Sequence, residues 1–505
     1  MTRRIVIAHN TAATAAATTT QPTLQVPSQP PPSYNQLQSG MRCLGISSAQ
    51  LRLWQTYDDE SEDDDVPSSA MAKRTPHLII TSDLLIPGDG EPIPNGALVV
   101  TSKTIAWVGH RDAIPSKYHE GPCRVHHVPY MMPGLWDVHA HIVGPNPDPE
   151  TAPRGLVYGP YGEHPASQGA RLARGCWQAL QCGYTSLRDC GGFGCEMANA
   201  INDGSIVGPN IYSCGGFISQ TAGHGDRFDM PPGDALLHFG VNNIQPGFFC
   251  QGWGALADGV DECRRAVRLN VRRGAACIKI LASGGVMSLD DDPLDAQFSE
   301  AEMSALVEEA TRMGRAVAAH CHGKPGILAS IKAGVRTIEH GTYADEECLD
   351  LIKSQGIILV PTAAVLEMLA GLDDAIPKKI AEKIKQVAAK MEGMYKMALA
   401  KGVTIAMGSD AQPSWLDASE IVYAVKMGMT SLQAIKAATA TAPLTLGRRA
   451  PMSGQLKVGY DADILGLTAD PIEDITVLKN SDNVGWVWKG GKLFKGPNVG
   501  LWGEE

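Results

Sequence analysis

The feature that most constrains this chain is an alternation. Downstream of residue 133, short apolar runs and amphipathic stretches succeed one another eight times. The runs are Leu135–His141, Thr185–Arg188, Asn210–Ser213, Ala276–Leu281, Ala316–His320, Thr337–His340, Ile357–Pro361 and Thr404–Ser409. Between them, Ala170–Leu180, Val260–Arg272, Ser299–Arg312, Asp345–Ser354 and Ala418–Met427 carry helical spacing, and Ser299 with Glu302 reads as a capping box. Strands that alternate with helices pair in parallel. Eight of them close into an α/β fold of the (β/α)8 TIM-barrel type, which commonly takes about 250 residues or more.

The flanks of that region read differently. His77–Gly109 is a set of short strands broken by Pro87-Gly88-Asp89-Gly90 and Pro94-Asn95-Gly96, and strand and turn signals return over Gly454–Pro497. The simplest arrangement pairs the two into one small β-sandwich beside the barrel. The expected organisation is a disordered low-complexity tail over 1–75, the first sandwich part over 76–132, the barrel over 133–450, and the second sandwich part with a C-terminal tail over 451–505. In the tail, Thr11–Thr20 holds only Thr and Ala, and Asp58–Asp65 is acidic apart from Ser61. Such a segment cannot offset the entropy of ordering it. Deleting residues 1–70 is therefore expected to leave folding and turnover nearly unchanged, as thermal unfolding and a rate assay would show.

The tail has no acidic residue before Asp58 and no apolar h-region. It resembles a weak organelle presequence and not a secretory signal, and a cytoplasmic location is expected. The formal net charge of −11 has the wrong sign for holding phosphate backbones, so no nucleic-acid partner is expected. No apolar run is long enough to cross a bilayer, which excludes a helical membrane span. The 12 cysteines form no Cys-x-x-Cys pair and read as reduced thiols. A small-molecule substrate and a homo-oligomeric assembly are the expected partners.

Several strand ends finish on metal-ligand types, where barrel active sites sit. In Asp137-Val138-His139-Ala140-His141 the two imidazoles are two residues apart, so both point into the barrel mouth. The fifth strand ends at His320, the sixth at His340, and the eighth leads into Asp410. Imidazole nitrogen with carboxylate oxygen suits zinc or a similar divalent ion. Lys279 lies in a run that should be buried, where an unpaired ammonium is expensive. Either it pairs with a buried carboxylate such as Asp189, or its amine has reacted with carbon dioxide to give a carbamate that bridges two metals. Charge favours the carbamate, because a cationic lysine beside two dications would leave the site strongly positive.

Pro133-Gly134-Leu135-Trp136-Asp137-Val138-His139-Ala140-His141, the strand-four Ile278-Lys279-Ile280-Leu281, Ala319-His320-Cys321-His322-Gly323, Ile338-Glu339-His340-Gly341 and Gly408-Ser409-Asp410 resemble the metal-dependent amidohydrolase superfamily. Within it the pattern is similar to the ochratoxinase group of fungal amidohydrolases and to Xaa-Pro and carboxypeptidase-like dipeptidases. The resemblance runs from about His77 to the C-terminus. It implies His139 and His141 on a first metal with Asp410, His320 and His340 on a second, and carboxylated Lys279 between them. It also implies hydrolysis of an amide whose amine side is an amino acid with a free carboxylate. Ochratoxin A, N-acyl amino acids and C-terminal dipeptides all fit.

Asp410 is the expected general base, handing its proton on to the leaving amine. His224, in a glycine-rich segment beyond strand three, is either a catalytic and substrate contact or an ordinary loop histidine. His322 shares a face with His320 and either lines the pocket or supports the ligand. Exposed amides of Ser283, Gly284 and Gly285 could approach a substrate carboxylate. Two other readings compete: an imidazolonepropionase- or deaminase-like hydrolase of a cyclic C–N bond, and a structural relative without activity. Lys279 counts against the first, and the complete ligand set against the second.

Overall fold

The structure is a computed structural model that describes residues 77–144, 164–242, 254–371 and 376–504. The expectations for the N-terminal tail fall outside them. Among the described residues no helix is long and apolar enough to cross a membrane, and the ten cysteines are all free.

The alternating region forms the expected ring. Leu135–Ala140, Tyr184–Asp189 and Asn210–Ser213 pair in parallel, as do Cys277–Leu281, Ala316–Cys321, Thr337–His340 and Ile358–Val360. The Ala276 amide donates to Ser213 O at 2.7 Å and joins the two sets. The eighth segment differs from expectation: Thr404–Ser409 makes only an isolated bridge at Ile405, not a regular strand. It still closes the barrel, since the Ala406 amide bonds Leu359 O at 3.0 Å and the Val138 amide bonds Met407 O at 3.0 Å. At Gly408 a Cβ would lie 2.5 Å from the Cβ of His139. Only a glycine lets the two chains approach so closely.

Helices lie where the spacing places them, at Pro165–Gln181, Gly259–Arg273, Glu300–Arg312, Glu346–Ser354 and Ser419–Met427. Ser299 and Glu302 complete the capping box. The largest helix, Lys378–Lys401, was not singled out by the sequence. Its buried face (Ile380, Ile384, Val387, Met391, Met394 and Tyr395) joins the main core.

The two flanking β segments do pair: Ile464–Leu467 runs antiparallel to Cys123–Pro133. They form one hydrogen-bonded sheet, ordered Lys492–Lys495, Val484–Lys489, Ile464–Leu467, Cys123–Pro133, His77–Leu85, Gly96–Thr101, Thr104–His110, with Ile93–Pro94 beside His77–Leu85. The sandwich arises because this sheet folds over on itself. Its two ends meet at Ala462, whose amide donates to Lys103 O at 2.8 Å while its carbonyl accepts from the Gly491 amide at 2.9 Å. Leu78, Ile80, Leu98, Val128, Ile464 and Trp488 are sealed between the halves.

Candidate active site

At the C-terminal rim of the barrel the first strand delivers His139 and His141, and the eighth segment delivers Asp410. The Asp410 Oδ1 lies 3.1 Å from His141 Nε2 and 3.5 Å from His139 Nε2. Asp137 clasps the two segments together: its carboxylate accepts from the His139 amide at 2.9 Å and from the Ser409 amide at 3.2 Å. Asp410 and His340 both have positive φ, 55° and 67°. Such backbone is costly outside glycine and concentrates at functional sites.

The fifth and sixth strands deliver a second group. One nitrogen from each of His320, His322 and His340 lies within 4.8 Å of the others, and all three residues are buried. The sequence placed His322 beside the pocket; the structure brings it into ligand spacing with the other two.

Each histidine has its remaining nitrogen committed. His139 Nδ1 lies 2.8 Å from Glu339 Oε2, His141 Nδ1 is 3.1 Å from Gly191 O, and His320 Nε2 is 3.1 Å from Gly284 O. His322 Nδ1 meets Thr342 Oγ1 at 2.9 Å, and His340 Nδ1 meets Thr362 Oγ1 at 2.6 Å. Fixing one nitrogen sets the tautomer and aims the other at the site, the arrangement that orients imidazole toward a metal. Burial, reinforced by Lys279, lowers the His139 imidazole to about 4. Burial and then His224 lower His322 to about 3. Burial also holds His320 and His340 well below the ordinary value. All four rings are therefore neutral at pH 7, the form that coordinates. Burial opposes charge on Asp410, but His139, His141 and Lys279 outweigh it and keep the carboxyl ionised.

Lys279 sits between the groups, 2% exposed, with its Nζ 3.0 Å from His139 Nε2. Among the described residues it makes no ion pair with a carboxylate. Asp189, the partner weighed from sequence, is spent elsewhere: it accepts from the amides of Ile142 and Gly194 at 3.0 and 3.1 Å and from Ser213 Oγ at 2.6 Å.

His224 joins the site, its ring stacked on that of His320 with centroids 4.6 Å apart. For Gly284 and Gly285 the expectation is corrected. The Gly284 amide donates to Asp295 O at 3.1 Å and the Gly285 amide to Asp291 Oδ2 at 2.8 Å, so neither is open to a substrate carboxylate. Ser283 Oγ instead accepts from the His322 amide at 2.8 Å. This loop holds the histidines in place.

The six histidines, Lys279 and Asp410 line a cavity of about 730 Å³. Apolar side chains in its lining include Phe217, Val286, Leu289, Leu366 and Tyr423. Sequence reasoning missed Glu339 and Arg188, which stand behind His139. Arg188 NH2 donates to Glu339 Oε1 at 2.7 Å, and the pair is fully buried. A glutamate inside an apolar strand, next to a candidate ligand, was the available signal, since buried carboxylates are rare unless paired.

A model of the amidohydrolase family matches residues 130–494. The chain is 53% identical over 429 residues to the ochratoxinase of Aspergillus niger, covering 85% of this chain and 88% of that protein. The crystal structure of A. niger ochratoxinase superposes with a TM-score of 0.81 at 52% identity, over 85% of this chain and 98% of that one. A Xaa-Pro dipeptidase with methionine bound in its active site gives a TM-score of 0.70 at 29% identity, over 83% of this chain and all of that one.

Proposed function

The chain belongs to the amidohydrolase family, and from that premise we propose a binuclear, metal-dependent enzyme that cleaves the amide between an acyl group and an amino acid with a free carboxylate. It is a hydrolase of carbon–nitrogen bonds, and its family generally uses a divalent metal. Ochratoxin A, split to ochratoxin alpha and L-phenylalanine, heads the proposed substrates, with similar N-acyl amino acids and dipeptides. The relative at 53% identity supports that choice, and the apolar side chains in the cavity lining suit an aromatic side chain.

The observation that carries the binuclear reading is Lys279. A buried ammonium that makes no ion pair among the described residues, beside the neutral imidazoles of His139, His320 and His340, is an expensive arrangement unless its charge is changed. As a carbamate it becomes an anionic ligand shared by both groups. The residues fit such a centre: His139, His141 and Asp410 would hold one ion and His320 and His340 the other, with zinc the metal that best matches the donors. When bound, two divalent ions acidify a water and polarise a carbonyl.

Asp410 takes the proton of the attacking water and returns it to the leaving nitrogen. His322, within the second group, and His224, stacked on His320, line the cavity and contact the substrate around its carbonyl. Glu339 fixes the His139 tautomer, so the nitrogen nearest Lys279 presents its lone pair.

The test is metal analysis combined with a hydrolysis screen over ochratoxin A, N-acyl amino acids and dipeptides. Close to two divalent ions per chain are expected, and chelation should abolish turnover until metal is returned. Full amidase activity in a metal-free preparation would sink the proposal.

A further inference from the structure

The end of the barrel opposite the candidate metal ligands carries a cluster of arginines. Arg315 immediately precedes the strand Ala316–Cys321, and Arg336 immediately precedes Thr337–His340. Arg448 and Arg449 end the short helical segment Ala442–Arg449. Three of the four converge on one turn. Arg315 Nη1 donates to Met313 O at 2.8 Å, Arg448 Nη2 to Thr311 O at 3.3 Å and Arg449 Nε to Gly314 O at 2.9 Å. Arg315 Nε also reaches Ala275 O at 2.6 Å. Arg336 stands on the flank, with Nε on Leu444 O at 2.9 Å and Nη1 on Gly356 O at 3.0 Å. Gly314 makes room for the cluster, since a Cβ there would lie 2.5 Å from Arg448 Nη2.

A guanidinium stays charged at any working pH, so the charge of this cluster depends on no titration. Among the described residues no carboxylate pairs with any of the four, and their hydrogen-bond partners are backbone carbonyls. Glu309, two residues before the turn, is already shared by Arg268 and Arg312. Like charges gathered on one turn repel. Burial lowers the Arg315 guanidinium, and Arg449 and Arg448 lower it further. The chain holds 54 acidic against 43 basic residues, so the cluster is not the overflow of a basic protein. The carbonyl bonds hold the forks in place yet use at most two of the five N–H groups on each. Arg448 and Arg449 are exposed, with donors to spare. Preordered guanidinium forks match the oxygens of a phosphate, and three charges on one turn call for more than one negative charge.

We propose that Arg315, Arg448 and Arg449, flanked by Arg336, form a binding site for a multiply charged phosphate anion at the N-terminal end of the barrel. The ligand is a diphosphate-type group, either free or carried on a nucleotide. The site is separate from the amidohydrolase centre and stands whatever amide that centre cleaves. Its occupant relieves the repulsion among the arginines and ties the Thr311–Arg315 turn to the Ala442–Arg449 segment, so it stabilises the folded chain by mass action.

The experiment titrates inorganic pyrophosphate into the full-length protein, read by calorimetry and by the thermal unfolding midpoint. The wild type should bind about one equivalent per chain and unfold at a higher temperature. The double variant Arg448→Gln, Arg449→Gln should bind at least about tenfold more weakly, with turnover in the absence of pyrophosphate unchanged. Arg449→Gln alone serves if the double variant does not fold. Neither substitution touches a candidate metal ligand, so pyrophosphate acting through a metal ion would affect both proteins alike. Equal affinity in the two proteins therefore overturns the proposal. ATP in place of pyrophosphate distinguishes the carried from the free group, and binding of either that is lost in the variant supports the site. Sodium chloride at the same ionic strength should leave the midpoint where it was. An equal rise would show charge screening alone and overturn the site. Absence of binding by the wild type also overturns it, and a changed assembly size in the variant would then assign the arginines to a contact between copies.

Discussion

Lys279→Ala is expected to lose binuclear metal binding and nearly all turnover. Among the described residues Lys279 makes no ion pair with a carboxylate, so the substitution breaks no salt bridge. The fold should survive, and the loss should appear in metal content. Lewis-acid stabilisation is worth several kcal/mol, and each 1.36 kcal/mol is tenfold in rate, so a fall of roughly 10³-fold or more is expected. Metal analysis should fall from about two ions per chain. Short carboxylic acids supplied with metal should restore part of both by occupying the space of the carbamate. A crystal structure of active enzyme with an unmodified Lys279 paired to a carboxylate would remove the bridging role.

Asp410→Asn should separate metal binding from chemistry. The residue adopts φ 55°, a left-handed conformation that asparagine tolerates as well as aspartate does, so the backbone has no reason to move. An amide oxygen still coordinates weakly, and part of the metal should remain. It cannot accept the proton of the attacking water or return it to the amine. General acid–base contributions are about 10²–10⁴-fold, so turnover should fall by at least about 10²-fold, with a smaller change in KM. The comparison belongs at matched metal occupancy, because a lost ion mimics a lost base. Near-normal turnover with two ions bound would make Asp410 a ligand only.

Much of the site was legible in the chain because it rests on local periodicity. Side chains two apart on a strand share a face, so His139 and His141 had to converge, and the same logic placed His320 with His322. The barrel was legible for a related reason: each strand–helix unit announces itself within about 30 residues. The capping box at Ser299 is more local still. Periodicity could not show the fate of Ser283, Gly284 and Gly285. Three small residues after a strand read as an open loop. Here Asp295 O and Asp291 Oδ2, close in sequence but returned by the loop, take the Gly284 and Gly285 amides, and the segment turns inward.

The strand–helix alternation, the ligand types at the strand ends and the anomaly of a lysine in an apolar run can be read from the chain alone. Which nitrogen of each histidine faces the centre emerges only on folding. That choice depends on partners such as Glu339, 200 residues from His139 in the chain. Only the tertiary structure decided that Lys383 steadies Asp291 across 92 residues. Only it, too, folded one sheet over so that its ends meet at Ala462. The physical reason is common to all three. Periods of two and of 3.6 residues say which face a side chain occupies, whereas a buried polar group is satisfied by whatever barrel closure brings within about 3 Å.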